Sequence, residues 1–327
     1  MTTAHTDPAG LAGLLSTQAP ELPDTELPPD GRYQLTTTTV RAMDEAVNAT
    51  LRAGFRGRPA EDFPTLVVGW GRCRVGSTAI TNLFGIAGVP AYYQPVKTIA
   101  RYELTGGTGS PFVLPDGETA LFAKEMAGPY LAYECLFNPI RNLIESGWPA
   151  DRLRLLVLDR EPVASMDSWM AKWEERIGRS RVVDNFLLAT ANYPVVRRYA
   201  ESAGVQVTHF PYEASRQPET TVARLFGRLG LSDRYRPDIL TGWGAAGDLN
   251  SENALVRYPA EPEAYVVPGI HGNEKDYRFR QRTISRLTEE EQDMARAPEV
   301  RDRYLESVAR CCDDLGIGEP LRAELFG

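Results

Sequence analysis

The chain has 327 residues, 43% of them hydrophobic and 24% charged, a globular composition long enough for one large α/β unit or two small ones. Lys+Arg 36 against Asp+Glu 44 leaves a net charge of −8, which argues against nucleic acid as a partner. No apolar run reaches a membrane-spanning length, and the first residues lack the basic-then-apolar order of a signal peptide. The four cysteines (Cys73, Cys135, Cys311, Cys312) form neither a CxxC pair nor a zinc spacing, so the expectation is a reducing cytoplasm, with no membrane and no metal.

Residues 1–32 are rich in Pro, Thr and acidic side chains and read as a mobile arm, leaving 33–327 as a single α/β domain. Val40, Met43, Ala46, Val47 and Leu51 are helically spaced, which predicts an amphipathic helix ahead of the first strand. Thr65-Leu66-Val67-Val68 suits a buried parallel strand, and Ile80, Leu83, Phe84 and Ala87 mark one face of a following helix. Between them lies Gly69-Trp70-Gly71-Arg72-Cys73-Arg74-Val75-Gly76-Ser77-Thr78. Residues 91–97 read as a loop near the same end of the sheet.

Ala120–Ala123 is a second strand, with Lys124-Glu125 expected at its C-terminal end, where open α/β sheets bind ligands. A third strand, Leu153–Leu158, ends in Asp159-Arg160, and Pro162 opens a helix at the position where a missing N–H is harmless. A fourth, Val205–Phe210, leads through Pro211-Tyr212-Glu213 to a helix over Pro218–Leu229. Strands alternating with helices and lacking hairpin signals predict a parallel sheet flanked by helices. Residues 241–282 read as long C-terminal loops, and Val300–Leu315 as a closing helix.

Two stretches carry chemistry. The strand–loop–helix around Gly71 to Thr78 is P-loop-like: it turns backbone N–H groups and a helix N-terminus toward one point, where a phosphate binds. An ATP-binding loop has Lys after its second glycine; here Ser77 stands there, and the cations come earlier, at Arg72 and Arg74. An ordinary glycine-rich βα turn shares this pattern. The second stretch sets Arg160 at a strand end and Ser168 about two turns into the next helix. That is roughly 9–10 Å of helical rise, close enough to grip one phosphate from two sides. Surface pairing of Arg160 with Glu161 or Asp159 is the plainer alternative.

Together these stretches resemble the sulfotransferases that use 3′-phosphoadenosine 5′-phosphosulfate (PAPS). Arg74-Val75-Gly76-Ser77-Thr78 is similar to the family's 5′-phosphosulfate loop, and Arg160, Pro162 and Ser168 to its 3′-phosphate site. Phe210-Pro211-Tyr212-Glu213 and the helix after it more loosely resemble the segment that contacts adenine. The likeness covers about residues 63–232, in order. It implies transfer of a sulfuryl group, without metal, to a hydroxyl on a small-molecule acceptor such as a metabolite, nucleoside or sugar. The cofactor set it implies is Arg72, Arg74, Gly76, Ser77, Thr78, Arg160, Ser168 and Tyr212.

Departures from the family pattern shape the expected chemistry. Where many members carry a catalytic His, this chain has Lys124-Glu125; Glu125 is the expected base, with Lys124 and Arg74 stabilising the developing negative charge. His209 and His271 are the reserve bases. The family's C-terminal Arg-Lys-Gly clamp is not recognisable, and only Gly244–Asp248 faintly echo its surroundings. A P-loop kinase is the rival enzyme, with Asp159 as its Mg²⁺ carboxylate, and a non-catalytic nucleotide-binding protein is the rival outside enzymes.

Overall fold

The computed structural model of the chain describes residues 38–107, 109–243, 256–265, 276–281 and 283–327. The expected arm at 1–32, the Gly244–Asp248 stretch and His271 lie outside them. Six strands form one parallel sheet: β1 (Thr65–Arg72), β2 (Ala91–Tyr93), β3 (Ala120–Ala127), β4 (Leu153–Asp159), β5 (Gln206–Pro211) and β6 (Val256–Arg257). Their order is β5-β4-β1-β3-β2-β6. The strands are near-continuous apolar runs because both faces of the sheet are covered.

On one face pack α1 (Val40–Phe55), α3 (Pro95–Leu104), α4 (Ala132–Leu136), α5 (Pro139–Glu145), α6 (Pro162–Ile177), α7 (Arg179–Ala191) and α8 (Tyr193–Ser202). The other face carries α2 (Ser77–Ile86), α9 (Pro218–Arg228) and the C-terminal part of α11 (Pro298–Leu315). There Phe84 stacks on Phe122 and Phe226, at 4.3 and 5.1 Å between ring centroids. Cys311 and Cys312 are buried free thiols in the same layer. Two short helices, α10 (Glu289–Arg296) and α12 (Glu319–Phe326), flank α11. No helix among the described residues is long and apolar enough to cross a membrane.

Two local expectations are corrected. Residues 91–97 are not a loop: Ala91–Tyr93 pairs with β3 and β6, and Pro95 opens α3. The second strand does not stop at Ala123 but continues to Ala127, pairing with Gly69–Arg72 of β1. Lys124 and Glu125 therefore sit inside a strand, where successive side chains point to opposite faces.

Glycine at 71 is what lets β1 and β4 close up at their C-terminal ends. A Cβ there would lie 2.0 Å from the Leu158 carbonyl oxygen and 2.8 Å from the Tyr193 hydroxyl, which itself donates to that carbonyl. Neither neighbour has room to retreat, since both are held by the sheet and α8. We expect Gly71→Ala to lower unfolding stability in urea by about 3 kcal/mol.

Candidate functional site

The C-terminal ends of β1 to β5 open into one cavity of about 380 Å³. One wall of it begins where β1 ends. Arg74 and Gly76 take positive φ, 68° and 80°, turning the chain into α2. Gly76 is the N-cap and gives the first turn no side-chain hydrogen bond. Tyr212, after β5, fills the space a side chain at Gly76 would need, its ring 2.6 Å from a Cβ placed there.

The two sequence stretches meet here. Arg74 Nε donates to Ser168 Oγ at 3.1 Å, and Arg160 Nη1 donates to the Arg74 carbonyl at 3.3 Å. The Arg160 guanidinium lies 4.9 Å over the Tyr212 ring. Lys124 Nζ donates to Thr78 Oγ1 at 3.4 Å and lies 4.5 Å over the Tyr93 ring. Of the expected residues, Arg74, Gly76, Ser77, Thr78, Lys124, Arg160, Ser168 and Tyr212 all line the cavity.

Arg72 and Glu125 do not, and His209 stands apart as well. Arg72 follows Trp70 onto the opposite face, where Nη2 pairs with Asp159 at 2.6 Å and Nη1 donates to Thr190 at 2.9 Å. Its guanidinium lies over Phe186, 4.5 Å from the ring centre. It is a buried strut beneath the site, and the cofactor role expected of it is withdrawn.

Glu125 points away from Lys124, into the layer beneath α3. Its two oxygens accept the N–H groups of Val96 and Lys97 at 2.6 and 3.1 Å, closing the first turn of that helix. Burial raises its pKa to about 8, against the downward pull of those N–H donors. Glu125 is absent from the cavity lining and turned toward α3, so it does not reach a substrate there. His209 is engaged with Asp314, Nδ1 to Oδ2 at 2.9 Å, on the α11 side of β5.

Several lining residues gave no sequence signal. Because 95–104 is a helix, Lys97 and Arg101 reach the wall from beneath β3. Lys97 donates to the carbonyls of Met126 and Gly128 and pairs with Glu134. Arg101 bridges Glu134 and Glu261. Against the upward push of burial, these two cations hold the Glu134 carboxyl below its usual range. From the C-terminal loops, Arg278 and Arg280 also line the cavity. Their segment is fastened by Tyr212, whose hydroxyl accepts the Arg280 N–H at 3.0 Å and whose ring packs 5.2 Å from Phe279. Arg278-Phe279-Arg280 alternates cation and aromatic, the one pattern that could have drawn attention to it.

Among the described residues, the lining holds eight Lys or Arg side chains and two carboxylates, Glu261 and Asp276. In a chain of net charge −8 this is a concentration of positive potential, and it calls for an anionic ligand. Burial is the main reason that the Lys124 pKa falls to about 7; Lys97 and Arg74 deepen the fall, while Cys73 and Glu261 oppose it. No family model, curated protein or solved structure matches the chain.

The reassignment of Glu125 has a direct check. Glu125→Gln turns an amide donor toward a backbone N–H, so the urea midpoint should fall by the equivalent of about 1–2 kcal/mol. Equal stability of variant and wild type would return Glu125 to the list of candidate bases.

Proposed function

We propose that this chain is a sulfotransferase, moving a sulfuryl group from PAPS to the hydroxyl of a small-molecule acceptor. The observation that carries the reading is the joining of the two resembling stretches across one cavity, through Arg74 to Ser168 and Arg160 to Arg74. The first turn of α2, with Ser77 and Thr78, would take the 5′-phosphosulfate; Arg160 and Ser168 would take the 3′-phosphate. Tyr212 would lie against adenine, and Arg278 and Arg280 would supply the cations that the missing clamp motif leaves wanting.

A kinase reading is weaker on this geometry. Asp159, its candidate Mg²⁺ carboxylate, is committed to Arg72 and to the N–H of Arg160.

Transfer is an in-line displacement at sulfur. The acceptor oxygen bonds to sulfur as the bond to the bridging oxygen breaks, and negative charge gathers on the departing 5′-phosphate. With Glu125 elsewhere, Lys124 is the group beside the loop that can be a neutral amine near pH 7. It takes the acceptor's proton, and the ammonium so formed faces the leaving phosphate. Arg74 and the N–H groups of the loop share that charge.

Three measurements test this. Arg160→Ala should weaken binding of adenosine 3′,5′-bisphosphate by about 1.5–3 kcal/mol in calorimetry, with little change for the analogue lacking the 3′-phosphate. Equal losses for both ligands would take Arg160 off the 3′-phosphate. Lys124 deprotonates as pH rises through about 7, while the phosphates are already dianionic above about pH 6. Bisphosphate affinity should therefore fall between pH 7 and 9 in the wild type, and a flat profile would remove Lys124 from the phosphate. Lys124→Arg keeps the charge but cannot accept a proton. It should bind the bisphosphate with a flat pH profile and lose about 10²–10⁴-fold in turnover.

A further inference from the structure

The helix α6 carries more than Ser168 to the cavity. Lys172 and Trp173, one turn further on, also line it. Four residues of helix advance about 6 Å, so Lys172 stands beyond the phosphate-binding end, toward Tyr130 and Tyr265. Arg176, the next residue on that stripe, is fastened, with Nη1 on the Tyr130 hydroxyl at 3.5 Å and Nη2 on the Ala264 carbonyl at 3.2 Å.

Lys172 differs from the other cations of the wall. Lys97 and Arg101 are matched by Glu134 and Glu261, whereas Lys172 has no hydrogen bond or ion pair among the described residues. Its charged neighbours are Arg74 and Arg176, both positive; they add to the effect of burial in lowering its pKa. A half-buried ammonium facing two cations is short of an anion.

The walls around it are rich in aromatic side chains. Tyr265 lies under the Arg101 guanidinium, 4.5 Å from its ring centre. Tyr93 and Tyr258, also in the lining, stack at 4.2 Å, with Lys124 over Tyr93. The lining here is largely aromatic, with Tyr130, Trp173, Tyr258 and Tyr265, and both Lys124 and Lys172 reach the same cavity.

We infer that the acceptor is a small hydroxyl-bearing anion whose carboxylate or equivalent group is held by Lys172, while its hydroxyl faces Lys124. The inference rests on the sulfotransferase reading for the hydroxyl's fate, but the anion site at Lys172 is testable without it.

The experiment compares two probes of one shape, 4-hydroxyphenylacetate and its neutral amide, in calorimetry with the chain saturated with adenosine 3′,5′-bisphosphate. The carboxylate should bind about 10- to 100-fold more tightly than the amide, the range for a charge-assisted hydrogen bond. Lys172→Ala should abolish that preference, and Lys172→Glu should turn it toward 4-hydroxyphenethylamine. Equal binding of both probes to the wild type, binding of neither, or a preference that survives Lys172→Ala would overturn the proposal. So would a loss of bisphosphate affinity in Lys172→Ala as large as the loss for the carboxylate, which would assign Lys172 to the donor. If the bisphosphate does not bind the wild type, the donor reading fails; the same comparison on the unliganded chain still decides the role of Lys172.

Discussion

The pair between Arg72 and Asp159 underlies everything above it. It ties the last residue of β1 to the last residue of β4 at 2.6 Å, with both side chains almost fully buried. Arg72 also donates to the Arg160 carbonyl, and Asp159 accepts the Arg160 N–H. The stems of the loop at 73–76 and of the turn at 160–161 are therefore set by one ion pair. Losing one partner would strand a buried charge, at about 3–5 kcal/mol. Because these stems are fixed together, Arg74 and Arg160 reach the same cavity although 86 residues separate them.

Charge in this chain is divided by position. Acidic side chains dominate the sequence as a whole, while the lining of the cavity is strongly basic. Positive groups packed into a cleft with low-dielectric walls focus their field there. Their mutual repulsion is relieved in part by Glu134 and Glu261, which sit among Lys97 and Arg101. That compensation ends before Lys172, and the cavity thus has one region of matched charges and another where positive charge is left over.

Much of the fold was legible because its signals are local. Apolar runs marked β1, β4 and β5, and Pro162 and Pro218 announced α6 and α9 where they begin. The Arg74–Thr78 and Arg160–Ser168 stretches could be placed at strand ends because each lies within one strand–helix unit. What could not be read depends on partners distant in sequence. Nothing near Lys124-Glu125 says that β3 continues to Ala127; the register with Gly69–Arg72 decides that, and with it which of the two side chains meets the cavity. Gly88, Pro90 and Pro95 bracket Ala91–Tyr93 with turn residues, yet β3 supplies a strand partner and Glu125 closes the helix that follows. Arg72 looked equivalent to Arg74 because a sequence shows neither the alternation of a strand nor the left-handed turn that ends it.

The Tyr212 ring has a thermodynamic consequence of its own. It packs against Gly76, lies under Arg160 and takes the Arg280 N–H on its hydroxyl, so it braces three parts of the cavity at once. Backbone that is braced before any ligand arrives has already surrendered its conformational freedom during folding. An anion entering such a cradle orders little of the protein, and its binding entropy then reflects released water and counterions more than a stiffening chain.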